Sequence, residues 1–108
     1  MQLGSIRCCE SDIIIAQDGM FENLTFNLNN LLPDTLTYCG NEDFLKISLE
    51  RSEVSSVITT ENAYNNFLKR NGNIHKKGIA LSKNPRNDFF KFHNFLYEKT
   101  DFYKTDQY

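Results

Sequence analysis

The sequence predicts a small α/β fold: a mixed β-sheet of about five strands with two or three helices, near the usual sheet size. Short β-branched or alternating apolar runs recur along the chain. In the second half they are separated by stretches whose apolar residues keep a helical spacing, the pattern of β-α-β units and of at least some parallel pairing. Gly, Pro, Asn and Asp punctuate the boundaries between these stretches.

The first strand is expected over Asp12 to Ala16, an apolar β-branched run stopped by Asp18-Gly19, a strong turn signal. Leu24-Thr25-Phe26-Asn27-Leu28 alternates apolar with polar and reads as a half-buried strand, and Leu36-Thr37-Tyr38 is a second alternating segment after Pro33-Asp34. These early strands suggest hairpin-like pairing. Gly40-Asn41 then turns the chain into a helix, with Asn41 able to cap it, Glu42 and Asp43 suited to its first turn, and Phe44, Leu45 and Leu49 recurring along it. Val54 to Thr60 is rich in branched residues and reads as the next strand. Glu61 to Arg70 carries Tyr64, Phe67 and Leu68 on one helical face and is stopped by Asn71-Gly72. Gly78 to Ser82 is a further strand, Asn84-Pro85 breaks the chain, and Arg86 to Lys99 is the longest helix, with Phe89, Phe92, His93, Leu96 and Tyr97 along one stripe.

A chain of 108 residues has room for one domain, and this one reads as a single unit over 1–103, with the polar residues 104–108 as a tail or the start of a linker. Hydrophobic residues make up 40% and charged residues 24%, which places the chain among folded globular proteins. The longest aliphatic stretch, Ile13-Ile14-Ile15-Ala16, is far too short to span a bilayer. The first residues lack the basic start and apolar body of a secretory signal, so a cytoplasmic location is expected. Cys8, Cys9 and Cys39 are odd in number and two are adjacent, which suits free thiols better than a disulfide framework or a zinc site. No metal or other cofactor is expected.

The net charge of −2 hides an asymmetry: residues 1–53 hold nine acids and three bases, and 54–108 hold five acids and nine bases. Lys69, Arg70, Lys76, Lys77, Lys83, Arg86 and Lys91 stand against Asp88 alone, which is either a solvated face or a local positive field for a phosphate-bearing partner. The acidic balance and the lack of any nucleic-acid-binding signature speak against a nucleic-acid partner. Enzymatic signatures are missing too, with no phosphate loop, dinucleotide fingerprint or serine elbow. His75 and His93 are the only side chains placed to move protons near neutral pH. His75 sits in a polar, basic loop and His93 on an aromatic helix face, and neither has an evident partner in sequence.

The most informative stretch is Leu36-Thr37-Tyr38-Cys39-Gly40-Asn41-Glu42-Asp43-Phe44. Two aromatics flank a short turn with Asn41 midway, and a planar base held between two ring faces gains about 1–3 kcal/mol per stacking contact. An amide offers that base a donor and an acceptor together. On spacing alone, an aromatic at a strand end and another in a first helical turn are more often two core residues.

This stretch resembles the uridine-binding N-terminal domain of LpxD, the UDP-3-O-acylglucosamine N-acyltransferase of lipid A synthesis, whose fold is of the kind found at the N-terminus of MurF and LpxD. Ser55-Ser56-Val57-Ile58-Thr59-Thr60 and then Ile79-Ala80-Leu81-Ser82-Lys83-Asn84-Pro85-Arg86 follow in family order, so the similarity covers residues 24–98. The resemblance implies that Tyr38 and Phe44 stack on the uracil of a UDP-sugar of the UDP-N-acetylglucosamine type and that Asn41 contacts the base. It also implies that the chain is not catalytic alone but is the substrate-binding part of an N- or O-acyltransferase. Catalysis in the family belongs to a following hexapeptide-repeat domain, which meets acyl carrier protein and forms a homotrimer, and no such repeat occurs in these residues. The sequence departs from the family in the exchanged order of the two aromatics, in Glu42 where proline is usual, and in Asp43 where a base is common. The alternative implied by those two acids is a structural or protein-interaction module that keeps the fold without the nucleotide.

Overall fold

The computed structural model describes residues 2–4, 12–25, 32–71 and 77–99. Five strands, β1 (Ile14–Gln17), β2 (Asn23–Leu24), β3 (Thr35–Tyr38), β4 (Val54–Thr59) and β5 (Gly78–Leu81), form one sheet in the order β1-β5-β4-β3-β2. Helices α1 (Glu42–Glu50), α2 (Glu61–Asn71) and α3 (Pro85–Lys99) follow β3, β4 and β5 in turn. The mixed α/β architecture is the one the sequence predicts. Of the expected strand over Leu24 to Leu28, residues 26–28 lie outside the described residues, as do Cys8, Cys9, His75, Gly72 and the tail 104–108.

β2 through β5 pair in parallel, and only β1 runs antiparallel, beside β5 at the edge. The hairpin-like pairing expected of the early strands is therefore not what forms. A hairpin needs the chain to reverse directly, whereas here β1 and β2 occupy opposite edges of the sheet, and the connection after β2 brings β3 back in the same direction.

Alternation along the central strands divides the core into two layers. Leu36, Ile58 and Ala80 face α3, where Phe89, Phe92 and Leu96 meet them together with Leu3, Ile13 and Phe21. Val54, Val57 and Ile79 face the other way, toward Leu45 of α1 and Ala63 and Phe67 of α2. β4 is covered on both sides and is buried at Val54 and from Ser56 to Thr59, as expected of a strand in the middle of a parallel sheet. The fully buried Phe92 ring packs edge-on against Phe21 with centroids 5.7 Å apart, a contact whose removal to alanine costs about 3–5 kcal/mol in a packed core.

The connection from β1 to β2 crosses the sheet at the amino ends of the parallel strands. It passes Gly78 at the start of β5, then Ser55 and Ser56 of β4, whose hydroxyls donate to the Met20 carbonyl, and then β3, where Glu22 N–H donates to Asp34 O at 2.8 Å. Leu3 N–H donates to Gly19 O at 2.7 Å and its side chain is buried beneath the crossing. A Cβ on Gly19 would lie 2.7 Å from both Cα and N of Gly78, and one on Gly78 would lie 2.7 Å from Ser56 Oγ. Two backbones touch here, with room for no side chain on either.

Gly19→Ala is expected to lower stability by about 1–3 kcal/mol, the usual result of forcing a methyl into filled space. A shift in urea midpoint with an unchanged slope shows it, and a variant as stable as the parent would mean that the crossing is looser than described.

Candidate functional site

The crossing closes the amino edge of the sheet, and among the described residues no segment crosses the carboxyl ends of β3, β4 and β5. Short loops place all three helix starts there. Asn41 Oδ1 accepts from Phe44 N–H at 2.9 Å and caps α1, Thr60 Oγ1 accepts from Ala63 N–H at 3.1 Å and caps α2, and Asn84 Oδ1 accepts from Asn87 N–H at 3.3 Å and caps α3. The antiparallel β1 adds its beginning to the same edge, since Ile14 pairs with Leu81. In open parallel sheets, ligands bind in the crevice outside these carboxyl ends.

Tyr38, Asn41 and Phe44 all lie on this edge, but in different layers. Tyr38 ends β3 half-buried on the α3 side, its ring 4.9 Å from that of Phe89 and 5.9 Å from that of Phe90. Phe44 is on α1, which packs against the opposite face through Leu45 and Ser48, and the residue is 54% exposed, its ring without a ring partner among the described residues. The two rings do not touch. Asn41 is exposed, with its amide oxygen taken by the cap and its amide nitrogen left toward solvent. Glu42, beside it, is held by Arg70 Nε at 3.2 Å. At 73% exposure of the Arg70 side chain this pair contributes little to stability, but it gives one of the two acids a cationic partner.

The basic stretch does not form one surface. Arg70 is engaged with Glu42, and Lys77, at the other end of β5, donates from Nζ to Arg51 O at 2.6 Å. Burial lowers the Lys77 pKa, partly opposed by nearby Glu53. Lys83 and Arg86 remain exposed at the carboxyl edge. His93 is half-buried on α3, eight residues beyond the helix start that lies at the edge.

Comparison with known protein families, with curated proteins and with solved structures matches nothing to this chain.

Among the described residues, clefts open on this edge in two places. One, of about 280 Å³, is lined by Asp12, Ile14, Thr60, Glu61, Leu81, Ser82 and Lys83. The other, of about 310 Å³, lies between Asn84, Arg86, Asn87 and Phe90, with the Arg86 guanidinium carbon 6.0 Å from the Phe90 ring centroid. The loop between them is braced by a short hydrogen bond from Ser82 Oγ to Asp88 Oδ2, while Asn84 N–H donates to Ser82 Oγ at 2.9 Å. The sequence reading singled out Lys83 and Arg86 as part of the basic stretch and Ser82 to Arg86 as part of the family resemblance, but did not bring these residues together as clefts. The signal for them was the four-residue spacing of Arg86 and Phe90 on a helix and the Ser82-x-Asn84 and Asp88 pattern around Pro85. Among the described residues no group of side chains could hold a metal ion, and no helix is long and apolar enough to cross a membrane.

Cys39, just behind the rim, is buried, and burial pushes its thiol up to about 11 from an ordinary 9.0, partly offset by its 3.6 Å contact with Thr59 Oγ1. The unfolded thiol ionises first, so the stability this residue contributes is complete below about pH 9 and is lost as pH rises toward 11. Urea midpoints of the parent measured from pH 8 to 11 are expected to fall more steeply than those of Cys39→Ala. Parallel curves would place the thiol in water. The capping role of Asn41 gives a second expectation: Asn41→Ala costs about 1 kcal/mol, whereas Asn41→Asp, which keeps the accepting oxygen, stays within a few tenths. Equal losses in the two variants would separate Asn41 from the start of α1.

Proposed function

We propose that the chain is a uridine-nucleotide-sugar recognition domain, of the kind that serves an LpxD-like acyltransferase, and that it holds its ligand over the rim between β3 and α1. The observation that carries this reading is the placement of Tyr38, Asn41 and Phe44 together on the open carboxyl edge, with Phe44 more than half exposed and the Asn41 amide nitrogen available to a base carbonyl. The base lies on Phe44, whose exposed face has no other occupant among the described residues, and takes one hydrogen bond from Asn41. Tyr38 borders the base from the α3 layer, its ring backed by Phe89 and Phe90. The sugar end runs outward, where a second domain carrying the acyl-transfer chemistry and contacts to acyl carrier protein would receive it.

A second reading is favoured by the way these same residues are already used. The Asn41 oxygen caps α1, the Tyr38 ring is packed on two phenylalanines, and Phe44 and Ile47 form an exposed apolar pair three residues apart on α1. That is also the surface of a protein-interaction module without a nucleotide.

Titration with UDP-N-acetylglucosamine, UMP and AMP, followed by amide chemical shifts, separates them. The recognition reading expects shifts at residues 38–44 with the uridine ligands ahead of AMP. Phe44→Ala is expected to weaken binding by about 1–3 kcal/mol, the worth of one stacked base. Asn41→Asp, with the helix cap intact, is expected to weaken it by about 1 kcal/mol or more. No shift in that segment at millimolar ligand removes the nucleotide and leaves the interaction module.

A further inference from the structure

The cleft between Asn84, Arg86, Asn87 and Phe90 holds a cation that no described residue compensates. Arg86 is exposed and makes no ion pair with any described residue, and its guanidinium lies over the ring of Phe90, four positions on. The nearest acid in sequence, Asp88, is buried and hydrogen-bonded to Ser82. An aromatic ring beside a guanidinium restricts how it swings without supplying the oxygens that its donors need. Asn84 and Asn87 add side-chain amides to the same walls. Asn84 has its oxygen engaged as the cap of α3, so the amide nitrogen is what it offers. A guanidinium and amide donors around an open volume of about 310 Å³ match a compact anion with several acceptor oxygens. A nucleic-acid strand would need a longer basic track than this.

We infer that this cleft is a phosphoryl subsite, in which Arg86 pairs with a phosphate or diphosphate ester and the amides of Asn84 and Asn87 take its remaining oxygens. The identity of the ester rests on the uridine-nucleotide reading; the anion site does not. A chain of rings connects the two places: Phe90 lies 5.9 Å from Tyr38 and borders the cleft on its other side. A nucleotide whose base sits beside Tyr38 thus has its phosphates directed along the α3 layer rather than toward Glu42 and Asp43 on α1. The two acids that depart from the family pattern then stand away from the charge they would repel.

The test uses the whole chain and three probes, pyrophosphate, uridine and UMP, read by amide shifts in the parent and in Arg86→Gln. Arg86 is exposed, so the variant is expected to melt with the parent. Pyrophosphate is expected to move the amides of residues 84–90, and UMP to move both these and residues 38–44. Arg86→Gln is expected to weaken both ligands about tenfold and leave uridine unchanged. Shifts from UMP at 38–44 with none at 84–90, or equal affinities in parent and variant, would overturn the phosphoryl subsite and leave the base site standing. Shifts from pyrophosphate at 84–90 that disappear in the variant, with none from uridine anywhere, would keep the anion site and remove uridine as its partner. Silence from all three probes sinks both.

Discussion

The contact on which the rest of the molecule depends is the one between Gly19 and Gly78, where the chain leaving β1 passes against the start of β5. Because neither residue has a side chain, the crossing lies flat enough for Met20 to receive the Ser55 and Ser56 hydroxyls and for Phe21 to enter the core beside Phe92. It also carries the chain from one edge strand to the other, so that β2, β3, β4 and β5 can be laid down side by side and in parallel. Parallel strands joined by helices send every connection to the two ends of the sheet. With one end closed by this crossing, polar side chains and helix starts collect at the other.

At that open end the same residues answer two demands. Asn41, Thr60 and Asn84 each give an oxygen to a helix start, and such caps are worth about 1 kcal/mol apiece, so all three are explained by folding before any ligand is considered. What folding leaves unexplained is narrower: the exposed Phe44, the amide nitrogen of Asn41 and the charge of Arg86, which has no ion-pair partner among the described residues. Those three features carry the functional reading because removing them costs the fold little. Tyr38 differs from them, since its ring is part of the layer under α3 and would be kept whether or not anything binds.

The helices and the central strands were legible in the sequence because local chemistry and tertiary role agree there. Asn41 before Glu42 and Asp43, Thr60 before Glu61, and Pro85 at the first position of α3 each begin a helix for reasons contained within a few residues. The branched run from Val54 to Thr59 had to be a strand buried on both faces. The pairing of β1 was not legible. An alternating or β-branched run states which faces it shows, not which neighbour it will take, and the partner of β1 lies more than sixty residues away. The candidate base site was legible as a set of residues and not as a geometry. Residues 38 and 44 are close in sequence, but a strand end and a helix start belong to opposite layers of a sheet, and spacing alone does not report that step.

Cys39 occupies the loop that joins the last residue of β3 to the cap of α1, with its sulfur turned into the layer shared by Leu45, Val57 and Ile79. A thiol kept protonated and out of contact with water is a poor target for peroxides and alkylating agents, which act on the thiolate. Oxidation of Cys39 is therefore not a route by which the rim beside it changes shape.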